Sequence, residues 1–164
     1  MFVELHARSA FSFLEAAALP EALAERAALL EQPALALLDR DGLYGAPRFY
    51  RAATRVGINP LVGAEVTLAV GGRLPLLVES PEGYQNLCRL LTKVKMRHLL
   101  GEPQPKARRA NMEIAATFDE LAEHAAGLVC LTGGEDGPVA LALEAGGAPA
   151  ARDYTLSLHD ALPI

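Results

Sequence analysis

The 164-residue sequence has no tryptophan and only three methionines, and aromatic side chains fill just 5% of its positions. A core organised around large rings is therefore excluded. Alanine occupies 30 positions, so the core has to come from Ala, Leu and Val, which suits helices packed closely on a sheet. The two cysteines, Cys88 and Cys130, lie far apart and form no Cys-x-x-Cys pair, and reduced thiols in a cytosolic protein are the expectation. No apolar run approaches the ~20 residues that cross a bilayer. Met1-Phe2-Val3-Glu4 lacks the basic n-region of a signal peptide. Positive charge is also short: 15 Lys and Arg face 20 Asp and Glu, a net charge of −5. That argues against a domain dedicated to coating nucleic acid but leaves a local basic patch open. With 51% hydrophobic residues and a mean hydropathy of +0.19, the chain is not of the disordered class.

What is present alternates between two patterns. Phe2–His6 is strand-like, and Ser9–Ala18 reads as a loop or short helix. Pro20 opens a helix that runs through Glu31, with Leu23, Ala27 and Leu30 on its apolar face. Pro33 stops it, and Pro33–Leu38 is a continuous apolar run of strand length. Ala46–Val56 predicts a second helix, with Phe49, Ala53 and Val56 inward and Gly57 as its stop. Asn59–Leu68 and Leu74–Glu79 read as strands joined by a hairpin-type turn at Gly71-Gly72. Ser80 and Pro81 form the start of a helix over Gly83–Leu99. A polar Gly101–Arg109 loop follows. Thr117 and Glu120 form a capping box for a helix through Glu123. Gly127–Leu131 is another strand, and Pro138–Ala145 another helix.

Strands alternating with helices indicate βα units around a mainly parallel sheet, an α/β fold. Continuous apolar strands fit burial on both faces. Three of them carry an ionisable residue at or near their end: His6, Asp39 and Glu65. In βα folds that is the end where sites are built, so these three are expected to cluster on one face. The glycine pairs at Gly71-Gly72 and Gly133-Gly134 lack phosphate-loop spacing.

The stretches Glu4–Ser9, Phe11-Ser12-Phe13-Leu14-Glu15, Ala34–Gly45 and Gly63-Ala64-Glu65, in that order, resemble the N-terminal PHP (polymerase and histidinol phosphatase) domain of bacterial C-family DNA polymerases, and within them the error-prone, DnaE-like type. Pro81–Leu90, of the form EGYxNLxRL, is typical of those polymerases and not of the small stand-alone phosphatases. The resemblance covers roughly residues 1–146. It implies a distorted (β/α)7 barrel, incomplete here, with a metal cluster at the C-terminal strand ends. His6, Glu15, Asp39 and Glu65 match family site positions. Arg8, Arg40 and Arg73 stand where the family usually has histidine.

Guanidinium offers no lone pair and stays charged at any working pH. Arg8 and Arg40 therefore cannot ligate, and each places a positive charge where a divalent cation would sit. The expectation is a vestigial site with no catalytic residues, in which these arginines neutralise Glu15, Asp39, Asp41 or Glu65. Zinc or manganese would bind only if the remnant were partly functional. The resemblance implies a parent polymerase that copies DNA from deoxynucleoside triphosphates with magnesium, in the cytoplasm, with this domain supporting the other polymerase subdomains and with no membrane partner. The rival reading is an active metal-dependent phosphoesterase or 3′–5′ exonuclease.

Lys93, Lys95, Arg97, His98, Lys106, Arg108 and Arg109 form a local basic excess, read either as a contact for nucleic-acid phosphates or a neighbouring subdomain, or as a solvated helix end. His98 and His124 are read as helical and non-catalytic, and Cys88 as a small buried residue. Residues 147–164 are read as linker and non-native tail. Ser157–Ile164 looks like translated sequencing-adapter read-through, so His159 and Asp160 are given no functional weight.

Overall fold

The computed structural model describes residues 2–99 and 115–161. The chain divides into two compact units, Met1–Glu65 and Val66–Ile164. The first contains β1 (Glu4–Ala7), α1 (Pro20–Leu29), β2 (Ala34–Arg40), α2 (Ala46–Val56) and most of β3 (Asn59–Thr67). The second contains β4 (Arg73–Val78), α3 (Pro81–Leu99), α4 (Phe118–Glu123), β5 (Leu128–Cys130) and α5 (Pro138–Ala161). Lys106, Arg108, Arg109 and the rest of the expected polar loop lie outside the described residues.

In the first unit, β1 pairs with β2 and β2 with β3, all parallel, with α1 and α2 as the crossovers. Leu35 and Leu37 of β2 pack with Ala24, Ala27, Phe49 and Ala53 in one core cluster. Small alanines let the helices approach the sheet closely, as the composition requires. The β2–β3 register is unbroken from Ala34 opposite Asn59 to Arg40 opposite Glu65. In β1, Glu4 pairs with Leu35 and Ala7 with Leu37, so the strand carries one extra residue there and His6 lies within the bulge.

The expected α2 is realised at both ends, and Gly57 closes it in the left-handed conformation with φ 81°. The α1 face differs. Ala24 and Ala27 are buried, but the helix ends at Leu29, and Leu30 serves as its cap. Glu31 follows with φ 54°, and the turn carries Leu30 off the apolar stripe into an exposed position.

In the second unit, the Leu68 N–H donates to the Gly72 carbonyl (3.0 Å) and the Gly71 N–H to the Leu68 carbonyl (2.9 Å). Both glycines have positive φ, 99° and 84°, as a tight turn into β4 demands. β4 and β5 pair antiparallel, an exception to the parallel pairing of β1, β2 and β3. The Thr117–Glu120 capping box is complete in both directions. Residues 146–150, expected as a linker, lie within α5 around a kink. Gly147 takes φ 69°, and Pro149 sits near the start of the resumed helix, where its missing N–H costs little. Beyond it, Tyr154 makes an edge-on contact with Phe118 at 5.5 Å between ring centres. No helix among the described residues is long and apolar enough to cross a membrane.

The EGYxNLxRL stretch has a packing explanation. A Cβ at Gly83 would stand 1.8 Å from the Gly127 carbonyl oxygen, so α3 and the turn before β5 touch backbone to backbone. Three residues on, the Asn86 side-chain amide donates to the Ala126 carbonyl (2.9 Å). Leu87 and Leu90 are fully buried. Because the obstruction is backbone and cannot rotate away, Gly83→Ala is expected to destabilise the protein by about 3 kcal/mol in urea unfolding, the upper end for overpacking. A loss below about 1 kcal/mol would show that this close approach is not required.

Candidate functional site

At the C-terminal ends of β1, β2 and β3, ionisable side chains form a chain of alternating charge. Glu65, buried, lies between His6 and Arg8. Its Oε1 accepts from Arg8 Nη2 at 2.5 Å and lies 3.0 Å from His6 Nε2. Arg8 reaches on to Glu15, with Nη1 3.8 Å from Oε2. Glu15 Oε1 accepts from Arg40 Nη1 at 2.6 Å, and Arg40 Nε lies 3.6 Å from Asp41 Oδ2. The order is therefore His6, Glu65, Arg8, Glu15, Arg40, Asp41. The backbone supports it: the Asp41 N–H donates to the Glu65 carbonyl at 2.9 Å.

Asp39 is placed differently from its neighbours. Side chains alternate across a strand. Asp39 shares the parity of Leu35 and Leu37, which face the helices, whereas Arg40 stands beside Glu65 on the other side. Asp39 is buried at 1% exposure and is consumed by the β1–α1 loop. Its Oδ1 accepts from the Ser9 N–H (2.8 Å), Ser9 Oγ (2.9 Å) and Ser12 Oγ (2.9 Å), and its Oδ2 lies 2.8 Å from Ser9 Oγ. Ser12 Oγ also accepts from the Arg40 N–H at 3.1 Å. Gly45 leaves room for this, since a Cβ there would fall 2.5 Å from Asp39 Oδ2. Sequence reasoning placed Ser9 and Ser12 in the matched stretches but gave them no role at Asp39. Their signal was only two serines spaced by three in an otherwise apolar segment, which any loop can show.

The donor set does not fit a divalent metal. The two arginines provide no lone pair, and their guanidinium groups lie directly on Glu65 and Glu15. Asp39 spends its oxygens on serine and backbone donors. Among the described residues, no three His, Cys, Asp or Glu side chains converge as a metal would require. Arg73 opens β4 in the second unit, where its N–H donates to the Asp136 carbonyl at 3.0 Å.

Of the expected basic excess, Lys93 and Arg97 on α3 are each paired with a carboxylate. Lys93 Nζ bonds Glu123 at 2.6 Å. Arg97 is buried, pairs with Glu120 and donates to the Ala115 carbonyl. Both cations hold α4; Arg97 is withdrawn from solvent, whereas Lys93 stays exposed beside Glu123. His124 is a buried helix cap whose Nδ1 lies 2.8 Å from the Glu120 carbonyl. Cys88 is half-buried, less enclosed than expected.

Parallel strands β1, β2 and β3 with helical crossovers, and a polar cluster toward their C-terminal ends, define an α/β domain built from βα units. A family model of the PHP domain matches residues 4–163, and the chain belongs to that family. It is 41% identical to an error-prone DNA polymerase of Mycobacterium bovis over 97% of this chain and 15% of the relative. It is 42% identical to one from Symbiobacterium thermophilum over 85% of this chain and 12% of the relative. Among solved structures, a metal-dependent phosphoesterase from Bifidobacterium adolescentis aligns with a TM-score of 0.48 at 17% identity, covering 74% of this chain and 48% of that one. The chain thus spans about 15% of the length of the polymerases it matches.

Burial raises the Glu65 pKa, but the hydrogen bonds from His6 and Arg8 and the charge of Arg8 outweigh it, and the net shift is downward from about 4.5. A carboxylate held below its unfolded value stabilises the fold above that value, and the gain is lost as pH falls through the lowered one. Glu65→Gln is therefore expected to cost about 2–3 kcal/mol at pH 7, less than a fully buried pair because Arg8 is partly solvated. The gap from wild type should close on acidification below pH 4.5. Urea unfolding across that range checks this; a gap that widened in acid would contradict it.

Proposed function

We propose that this chain is the N-terminal PHP domain of an error-prone DNA polymerase, and that ion pairs have taken over the place of its metals. The domain's role is then structural support of the polymerase core. Synthesis from deoxynucleoside triphosphates on a DNA template, with magnesium, belongs to parts of the protein outside this chain, and the cytoplasm is its place of action. The observation that carries this reading is the placement of Arg8 and Arg40. Each occupies a position that the family resemblance assigns to histidine, and each lies on a carboxylate of the same cluster, Glu65 and Glu15.

Metal-dependent phosphoester hydrolysis would need several neutral nitrogen and carboxylate ligands to hold the metal. The side chains here do something else. Arg8 bridges Glu65 and Glu15, Arg40 ties Glu15 toward Asp41, and His6 braces Glu65 from β1. Together they tie the β1–α1 loop and the ends of β2 and β3 to one another without a catalytic group.

The test is made on the full-length protein that continues past the Gly146 region, so that any ligands from later strands are present. The unmodified protein should carry neither stoichiometric zinc nor manganese and should not hydrolyse a generic phosphodiester. Arg8→His, Arg40→His and Arg73→His introduced together should raise metal content by elemental analysis, and hydrolysis with it. An unmodified protein already loaded and active would overturn the proposal in favour of a metal-dependent phosphoesterase or 3′–5′ exonuclease.

A further inference from the structure

The loop between β1 and α1 presents two neighbouring large apolar side chains to water. Phe13 is 79% exposed and Leu14 is 89% exposed. Leu14 also has φ 63°, a left-handed conformation that a bulky residue rarely adopts. Exposure and backbone strain thus coincide on one leucine, where glycine or asparagine would relieve both. Neither feature comes from looseness. The Ala10 N–H donates to the Ala18 carbonyl (2.8 Å) and closes the loop, and the Glu15 and Ala16 N–H groups both donate to the Ser12 carbonyl. Ser9 and Ser12 are buried on Asp39. The tip is held outward in advance, which lowers the entropy cost of docking.

The surroundings select the kind of occupant. Arg48 lies 5.7 Å from the Phe11 ring and is engaged twice by Glu21, at 2.6 and 2.9 Å. Arg40 is held by Glu15. These arginines are already paired with carboxylates, so the chemistry at the tip is apolar and does not suit nucleic-acid phosphates. Phe13 and Leu14 together can bury on the order of 300 Å², well short of the ~800 Å² per partner of a stable complex between separate chains. A covalently attached partner needs no such area, because its effective concentration is high. The polymerase relatives carry most of their length outside the region this chain matches, which is 15% of the Mycobacterium bovis protein.

We infer that the Phe13–Leu14 tip docks into an apolar pocket on the part of the same polypeptide that follows residue 164. This rests on the polymerase reading above. In the full-length protein, Phe13 is replaced with the photo-crosslinking amino acid p-benzoylphenylalanine, irradiated, and the products mapped by mass spectrometry. The expected product is a crosslink within one polypeptide, joining position 13 to a peptide beyond residue 164. Phe13→Ser combined with Leu14→Ser should also speed protease cleavage between this domain and the rest by about tenfold, as the docked state opens more often. Crosslinks between two copies, crosslinks to a primer-template DNA, or no crosslink at all would each overturn the inference. Templated synthesis is assayed on the unmodified full-length protein. Its absence would refute the polymerase reading, while the crosslink map still decides whether the tip docks in cis.

Discussion

A carboxylate at the end of a buried strand has to be compensated, and the first unit is organised around that constraint at Glu65. The residue is 2% exposed, and leaving an ionised carboxylate there without a partner would cost several kcal/mol. The family's answer, as the resemblance implies, is a metal cluster held by histidine nitrogens. Here the compensation is a guanidinium from Arg8 and a ring nitrogen from His6. Because Arg8 also reaches Glu15, which Arg40 holds from β2, the same charges that neutralise Glu65 also tie the β1–α1 loop to the sheet. Neutralising Glu65 and anchoring the loop are therefore one structural event.

Asp39 does the complementary job on the opposite side of the sheet. A further carboxylate beside Glu65, Glu15 and Asp41 would have left the carboxylates outnumbering the two arginines by two. Strand alternation sends it instead toward the helices, where Ser9, Ser12 and a backbone N–H satisfy it. The loop is thus clamped from both faces. Its buried serines hold Asp39, Glu15 holds the arginines, and Phe13 and Leu14 are left facing outward.

Much of the fold could be read from local chemistry. α2 with Gly57, the Thr117–Glu120 capping box and the Gly71-Gly72 turn were foreseen because each rests on a short-range rule satisfied within a few residues. The misreadings have a longer-range cause. Leu30 fits the helical period, but α1 ends one residue before it. Lys93 and Arg97 gave no sign in the sequence that α4 brings Glu123 and Glu120 to them. Gly146 to Ala150 has a linker's composition, yet glycine and proline also serve a helix kink. At the site, the identities of His6, Arg8, Glu15, Arg40 and Glu65 were visible in the sequence. Their pairing order was not, nor was the separation of Asp39, because both depend on which way side chains leave paired strands.

The central claim is that Arg8 and Glu65 form an energetically coupled pair doing a metal's structural work. A double-mutant cycle with Arg8→Leu, Glu65→Gln and the two combined, measured by urea unfolding with and without a strong chelator, tests it most directly. The account predicts a coupling energy of about 2 kcal/mol, the same in both conditions. Additive single substitutions, together with a wild-type protein that loses stability when the chelator is added, would contradict it.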